Sequence, residues 1–261
     1  MGAPLKNPPV YLTVAQVRFN PILKLDDFLP NIQESFRQTG YPDFSRRQSI
    51  AIQLIEQEGK PPVPTPVTQA RFEFGTVDKT HVFILDGQSL TLQSTNYGHF
   101  ETFSDRFLDG LNIVHNAVDL AFTERIGLRY LDRVMPGEGE TIQQYLAVEV
   151  HGLARRLAGH PVYAYSEAMN EVDGVKLISR VAIQTGDLAF PPDLQPGGMH
   201  IHEKFTSFSG ESAILDNDGF VEGRAPFSGP SVAEHLTTIH KLIASAFKTT
   251  VTPFAFEAWD K

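Results

Sequence analysis

Two twelve-residue segments of this 261-residue chain, residues 111–122 and 236–247, match each other without a gap. Leu, His, Ala and Phe are identical at four aligned positions, and two further positions pair a valine with an isoleucine, at a constant offset of 125 residues (236 − 111). In both segments apolar residues recur every three or four positions, which is typical of an amphipathic helix. The chain is therefore predicted to contain two long, related helices.

The apolar stripes of these two helices, predicted over residues 97–122 and 232–250, indicate a packed core. Its expected members are Phe107, Leu111, Val114, Phe122, Leu236, Ile239, Ile243 and Phe247. His115 and His240 occupy equivalent positions on the two helices. Because no nucleophile motif accompanies them, we interpret both as structural histidines that donate to backbone carbonyls.

Each long helix is preceded by a similar series of elements. Strands are predicted at 10–19 and 125–134, each followed by a short helix, and Asp-Gly pairs at 86–87 and 173–174 are typical of hairpins within a meander. We predict an α+β protein in which a strand-helix-meander-helix unit is duplicated, with halves 7–122 and 124–250. Such units bury their faces by forming one antiparallel sheet with both long helices packed on one face. Residues 1–261 are then a single domain.

Four shorter segments carry local predictions. Residues 59–66 contain four prolines and are expected to form an extended loop. Strands are expected at 147–151 and 199–205. Asp216, Asn217, Asp218 and Gly219 are residue types that favour a tight turn, and a turn is predicted there.

Composition excludes several classes of function. With 22 Lys and Arg against 31 Asp and Glu, the net charge is −9, and an acidic surface repels the phosphate backbone of nucleic acids. The chain has no cysteine, which removes disulfides, thiolate nucleophiles and cysteine-bound metal clusters. No apolar run reaches the length of a membrane helix, and no phosphate-binding loop is present. We expect a cytoplasmic protein without membrane contact or cofactor.

His200 and His202 form the residue pattern closest to a metal site. On a strand, side chains two residues apart point to the same face, so both imidazoles can reach one ion. The third ligand has to come from elsewhere in the fold, and His151, His160 and Glu211 are the candidates. We favour two solvent-facing histidines and assign no metal. A metal-dependent hydrolase built on His200 and His202 is the alternative.

Four arginines form the best candidate binding site. Arg125, Arg129 and Arg133 are four residues apart on a predicted strand, so they share one face of the sheet, and Gly127 leaves space between the first two. Arg18 lies on the equivalent strand of the first half, at the position that aligns with Arg129. Guanidinium groups bind carboxylates and phosphates through paired hydrogen bonds. Two interpretations are open: ion pairs with acidic neighbours, or a site for an anionic ligand.

Several short motifs are distributed along nearly the whole chain: Asn7-Pro8-Pro9, Arg18-Phe19, Gly127-Leu128-Arg129-Tyr130-Leu131-Asp132-Arg133, and Ile239-His240 with Ala246-Phe247 in the closing helix. Together they resemble a sporadically distributed, functionally uncharacterised prokaryotic protein family. Asp132 departs from the family, which more often has Asn there. The resemblance implies one fold-length domain and an association with mobile or defence loci. It implies no catalytic residues.

These observations favour a non-enzymatic binding module, because no complete catalytic constellation is visible. The expected partner is a protein or a small acidic ligand bound by Arg18, Arg125, Arg129 and Arg133. Nucleic-acid binding across the sheet is a further alternative. It needs Arg18, Arg129 and Arg133 to converge on one surface despite the acidic net charge.

Overall fold

The computed structural model describes residues 5–57, 60–159, 161–194 and 196–261, and within them nine strands form one antiparallel sheet. The strands are β1 (Val10–Phe19), β2 (Asp43–Gln57), β3 (Lys60–Gly75), β4 (His81–Asp86), β5 (Ser89–Ser94), β6 (Phe122–Val134), β7 (Tyr163–Val172), β8 (Val175–Thr185) and β9 (Glu211–Pro226). Their spatial order is β2-β3-β4-β5-β1-β6-β9-β8-β7. The expected mixed fold with one antiparallel sheet is confirmed.

Six α-helices accompany the sheet in the described residues: α1 (Leu25–Gln38), α2 (Phe100–Val118), α3 (Ile142–Tyr145), α4 (Glu203–Thr206), α5 (Gly229–Thr250) and α6 (Pro253–Trp259). A 3₁₀ helix covers Val148–Arg155, where a strand was predicted at 147–151, so that prediction is wrong. None of these helices is both long and apolar enough to cross a membrane.

Strand β6 lies in the middle of the sheet, and its alternating side chains define the two faces used below. Ile126, Leu128 and Tyr130 belong to the large core cluster that includes residues of α2 and α5, and we name their side the helix face. Leu131 belongs to a separate cluster on the opposite side. Because side chains alternate along a strand, the three arginines of β6 lie on that opposite side.

Six of the eight predicted core residues are buried. Phe107, Leu111, Val114, Leu236, Ile239 and Ile243 are 0–3% exposed and share one cluster. Phe122 and Phe247 are only half-buried, so the expectation for these two is wrong. Phe122 begins β6 rather than ending a helix, because Asp119 adopts the left-handed conformation (φ 54°) and stops α2.

The two long helices approach the sheet closely at two glycines. A Cβ atom on Gly110 of α2 would lie 2.3 Å from the ring of Phe83 on β4. A Cβ atom on Gly219 of β9 would lie 2.5 Å from Ile239 of α5. In the first pair the helix supplies the small residue, and in the second pair the sheet supplies it.

The proline-rich segment belongs to a strand and not to a loop. Lys60–Pro66 is the start of β3, which pairs with β2 along nearly its whole length but with β4 only over Phe72–Gly75. The β2–β3 hairpin therefore extends past the sheet as a two-stranded ribbon. Three prolines of this segment are spaced two residues apart: Pro62, Pro64 and Pro66. The N–H groups that they lack would all belong to the same edge of the strand, and a strand with one unpaired edge tolerates that loss.

A segment that we name the strap crosses the side of the sheet opposite the helix face. It comprises residues 186–194 and 196–207, ends in α4, and contains no strand among these residues, so the strand predicted at 199–205 is wrong. Leu194 and Phe205 of the strap pack with Tyr11 and Leu131 of the central strands. We name this side the strap face.

Candidate functional site

Arg129 is held on the strap face by two carboxylates. Its Nε and Nη2 atoms donate to both oxygens of buried Asp216 at 2.6 and 2.7 Å. Its Nη1 atom donates to Asp193 of the strap at 2.6 Å. Burial opposes the charge of Arg129, but the hydrogen bonds with Asp216 and Asp193 raise the pKa of its guanidinium, and the same contact lowers the pKa of Asp193. Arg129 thus joins the sheet to the middle of the strap.

Arg133 binds both ends of the strap and is only 1% exposed. Its Nη2 atom donates to the carbonyl of Gly186 at 2.7 Å, and its Nη1 atom donates to the carbonyl of Phe205. Ser212 Oγ accepts from Nε at 3.3 Å. Burial lowers the pKa of this guanidinium. The geometry makes Arg133 an anchor of the strap.

Arg125 is differently placed, because its side chain makes no hydrogen bond or ion pair with the described residues of the strap. Its Nη1 atom donates to Gln16 Oε1 at 3.2 Å, and its guanidinium carbon lies 4.4 Å from the centre of the Phe220 ring. The nearest carboxylate oxygen, on Asp218, is 3.8 Å away. Burial lowers the pKa of Arg125 and raises the pKa of Asp218. The charges of Arg125 and Asp218 are therefore less well compensated than the charge of Arg129, which bonds to two carboxylates.

Gly127 provides the space into which Arg125 folds. A Cβ atom at this position would lie 2.8 Å from Nη1 of Arg125. The space expected beside Gly127 is thus taken by the arginine itself. Arg18 lies directly opposite Arg125 in the β1–β6 register, and its side chain is exposed. Like charges directly opposite each other on neighbouring strands destabilise the pair.

A groove of about 290 Å³ lies over this part of the strap face. Its floor comes from the central strands and its far wall from the strap, through Asp193 and Leu194. Its polar lining residues on the strands are Gln16, Arg71, Asp86, Ser89, Thr91, Gln93, Arg125, Arg129 and Asp218. Gln16 also donates to Thr91 Oγ1 at 3.0 Å, which fixes the side chain that holds Arg125. The groove has hydrogen-bonding groups along its length.

The acidic partners of the arginines were not predicted as site residues. Asp216 and Asp218 lie within β9, so the turn predicted at 216–219 is wrong. Both carboxylates lie on the strap face, where Asp216 also accepts from Arg180 at 3.2 Å. These ion pairs and the packing of Gly219 against α5 keep the segment extended. Two aspartates two residues apart, facing arginines with strand spacing, were the signal that could have identified the partners.

The structure does not bring His200 and His202 together on a strand. The backbone of His200 is bound by Lys79 and Thr95, through bonds of 2.9 and 2.6 Å. His202 precedes α4, and its Nδ1 atom accepts from the Lys204 N–H at 3.1 Å. Among the described residues, no group of three His, Asp or Glu side chains lies close enough to share a metal ion. His160, a candidate third ligand, lies outside the described residues.

His115 and His240 make aromatic contacts, and neither donates to a backbone carbonyl in the way we expected. His115 Nδ1 accepts from the N–H of Leu120 at 3.0 Å, and its ring stacks on Phe227 with centroids 4.3 Å apart. His240 Nδ1 lies 3.1 Å from the Tyr130 hydroxyl, and its ring stacks on Phe100 at 4.1 Å. Each histidine thus stacks on an aromatic residue near the start of the other long helix.

Comparisons of the chain with protein-family models, with curated proteins and with solved structures give no significant match. The chemistry of this protein therefore has to be argued from its own groups. In the arginine set, Arg133 is 1% and Arg129 is 9% exposed, whereas Arg18 lies on the surface and Arg125 lines the groove.

Proposed function

We propose that this protein is a binding module that holds an acidic group of a small ligand or of a partner protein in the groove at Arg125. The observation that carries the proposal is the uneven compensation of the arginines on β6. Arg129 and Arg133 are bound by the protein itself, whereas Arg125 has its nearest carboxylate at 3.8 Å. A partly buried guanidinium whose nearest carboxylate lies beyond hydrogen-bond distance has donors left for an anion.

The surroundings of Arg125 favour recognition over simple charge attraction. Gln16 and Phe220 fix its guanidinium plane on two sides, and the side chain is 20% exposed. A guanidinium carries five N–H donors, and one of them is used within the described part of the chain. Preorganised donors at the edge of a groove bind a carboxylate or phosphate with little loss of side-chain entropy.

The strap supplies one wall of this site, and Arg129 and Arg133 position the strap. This division assigns different roles to the four arginines first selected from the sequence. Arg125 contacts the ligand, and Arg18, opposite it on β1, adds positive potential at the open end. Arg129 and Arg133 act on binding through the strap, and their first role is in stability.

We also infer that the fold arose by duplication, with both long helices on the helix face. Two observations support this inference. Outward from the middle of the sheet, the strand orders β1-β5-β4-β3 and β6-β9-β8-β7 match, and the first half carries one further strand, β2, at its edge. The stacking of His115 on Phe227 is reciprocated by that of His240 on Phe100. In this repeat Arg18 of β1 is aligned with Arg129 of β6, and it faces Arg125 across the two strands.

The test uses the full-length protein with inorganic phosphate and succinate as probes, at constant ionic strength set with sodium chloride. We expect either probe to raise the melting temperature of the wild-type protein. Arg125→Ala should weaken binding by about 10- to 100-fold, the range for a hydrogen bond to a charged group. Isothermal titration calorimetry measures the affinity directly.

Arg129→Ala is the matched control, because it removes the same side chain four residues away on the same face. We expect this variant to melt at a lower temperature and to retain a response to the probes. The proposal is contradicted if Arg125→Ala responds like the wild type, or if chloride alone reproduces the whole effect.

A further inference from the structure

A second cavity lies on the helix face, at the opposite side of β6 from the arginine groove. It encloses about 190 Å³ and opens to solvent. An apolar cavity of about 150 Å³ is large enough for a molecule the size of benzene. One wall is the N-terminal segment, fixed by bonds from Arg133 N to Pro9 O at 2.8 Å and from Asn7 N to Trp259 O at 2.9 Å. Backbone hydrogen bonds therefore hold this wall of the cavity in place.

The lining of this cavity is apolar apart from a few groups. Pro9, Val10, Ile243, Ala244 and Phe247 form most of the wall. The lining residues that carry a polar or charged group are Asp132, Tyr97, Tyr130, His240 and Lys248. A site of this composition accepts a ligand that is mainly hydrocarbon and has one polar end.

Asp132 is the unusual member of this lining. It is 6% exposed, and among the described residues it takes part in neither a hydrogen bond nor an ion pair. Burial alone raises the pKa of its carboxyl to about 7. A buried carboxylate without a partner is costly, and a positively charged ligand would compensate it.

The aromatic groups beside Asp132 are held rigidly. The Tyr97 and Tyr130 hydroxyls share a hydrogen bond of 2.9 Å, and their rings meet edge to face with centroids 5.1 Å apart. His240 bonds to Tyr130 and stacks on Phe100. Aromatic faces attract ammonium groups, so these rings and the carboxylate favour the same ligand charge.

We propose that the cavity at Asp132 binds a small organic cation, a primary ammonium with a short alkyl chain, with the Asp132 carboxylate as its counter-ion. The ammonium donates to Asp132, and the alkyl chain lies against the apolar wall. Lys248 also lines the cavity, but it is exposed and makes no ion pair with Asp132. The proposal is independent of the anion site, because the two cavities lie on opposite faces of β6.

The probe for this site is n-butylammonium chloride, titrated into the full-length protein by calorimetry at pH 8, with sodium chloride and neutral 1-pentanol as controls. We expect butylammonium to bind, and Asp132→Asn to weaken its binding by at least about tenfold, as loss of a charge-assisted hydrogen bond predicts. Lys248→Gln changes the charge near the cavity without removing Asp132, and Arg125→Ala alters the other face. Both should keep wild-type affinity for butylammonium.

The pH dependence provides a second readout. The charged and titratable groups around Asp132 are Tyr11 from β1, Tyr97 and Glu101 from the α2 side, Tyr130 from β6, and His240 and Lys248 from α5. Affinity for butylammonium should rise as pH increases through about 7, where Asp132 loses its proton. Asp132→Asn should remove that rise. A dependence that persists in this variant would assign the titration to His240 and contradict the role of Asp132.

Two outcomes overturn the proposal without the need for a variant. One is that butylammonium does not bind to the wild-type protein at any pH. The other is that 1-pentanol binds as tightly as butylammonium, because the site would then recognise only the alkyl chain. These comparisons use the wild-type chain, so they remain decisive if Asp132→Asn fails to fold.

Discussion

The buried charges in the C-terminal half of β6 are treated in opposite ways on the two faces of the strand. On the strap face, Arg129 and Arg133 are buried, and carboxylates or carbonyls compensate both of them. On the helix face, Asp132 is equally buried, and nothing in the described residues compensates it. The difference divides the charges of one strand into two kinds. The compensated charges Arg129 and Arg133 hold the strap in place, whereas Asp132 on the helix face and Arg125 on the strap face have no oppositely charged group within hydrogen-bond distance among the described residues.

The largest expected effect on stability comes from the apolar core on the helix face, to which Phe107 belongs. Phe107→Ala removes a ring that is 0% exposed, and we expect it to lower the free energy of unfolding by about 3–5 kcal/mol. Phe247 is half-buried, so Phe247→Ala should cost only about 1–2 kcal/mol. Urea denaturation of both variants measures the difference. Equal losses would mean that burial does not rank these two positions.

The second prediction concerns Asp132 and pH. Its folded-state pKa of about 7 lies above the ordinary value of 3.8, so the folded protein binds the proton more tightly than the unfolded chain. The stabilising effect of protonated Asp132 is fully present below about pH 4 and is lost as pH rises through about 7. The loss is on the order of 4 kcal/mol.

Asp132→Asn isolates this effect, because an amide does not titrate. The difference in unfolding free energy between wild type and variant should move in favour of the variant as pH rises from 4 to 8. A constant difference across that range would show that Asp132 is compensated in solution, and the contrast between the faces would disappear.

Arg129→Ala should destabilise the protein less than Phe107→Ala. The change removes one partner of buried Asp216, which retains Arg180 at 3.2 Å, and releases Asp193, which is 67% exposed. We expect a loss of about 2–3 kcal/mol, below the usual cost of leaving a buried charge unpaired. Arg125→Ala, measured by the same denaturation, should stay within about 1 kcal/mol of wild type. The reverse order would exchange the roles assigned to these two arginines.

The smallest effect on stability is expected from Gly127→Ala. The new methyl group would meet the guanidinium end of Arg125 at 2.8 Å, so the arginine side chain has to shift while the backbone keeps its place. Unfolding free energy should change by less than about 1 kcal/mol, whereas the affinity for phosphate should fall. Unchanged phosphate affinity would mean that the position of Arg125 over Gly127 is not needed for binding.

Local sequence signals predicted the elements whose structure is decided locally. The Asp-Gly pairs at 86–87 and 173–174 join β4 to β5 and β7 to β8, and the apolar spacing located α2 and α5. The alternation of β6 also placed its three arginines on one face. In each case the residues that carry the signal are close together in the chain.

The strap and the acids of β9 could not be predicted in this way. Asp216 stays in a strand because it pairs with Arg129, 87 residues earlier in the chain. His200 and His202 alternate like strand residues, but Phe205 is drawn into the cluster around Tyr11 and turns the segment into α4. Local propensity yields to tertiary contacts at such places, and a single sequence does not reveal which distant groups will meet.

The two close approaches between long helix and sheet use opposite choices of small residue, Gly110 on α2 and Gly219 on β9. This asymmetry has a consequence for which long helix packs at each place on the sheet during folding. At the offset of the two aligned segments, His235 of α5 corresponds to Gly110, so α5 placed over Phe83 would bring a histidine side chain against that ring. The contact at Phe83 would then be overpacked, so this part of the sheet accepts α2 and rejects α5.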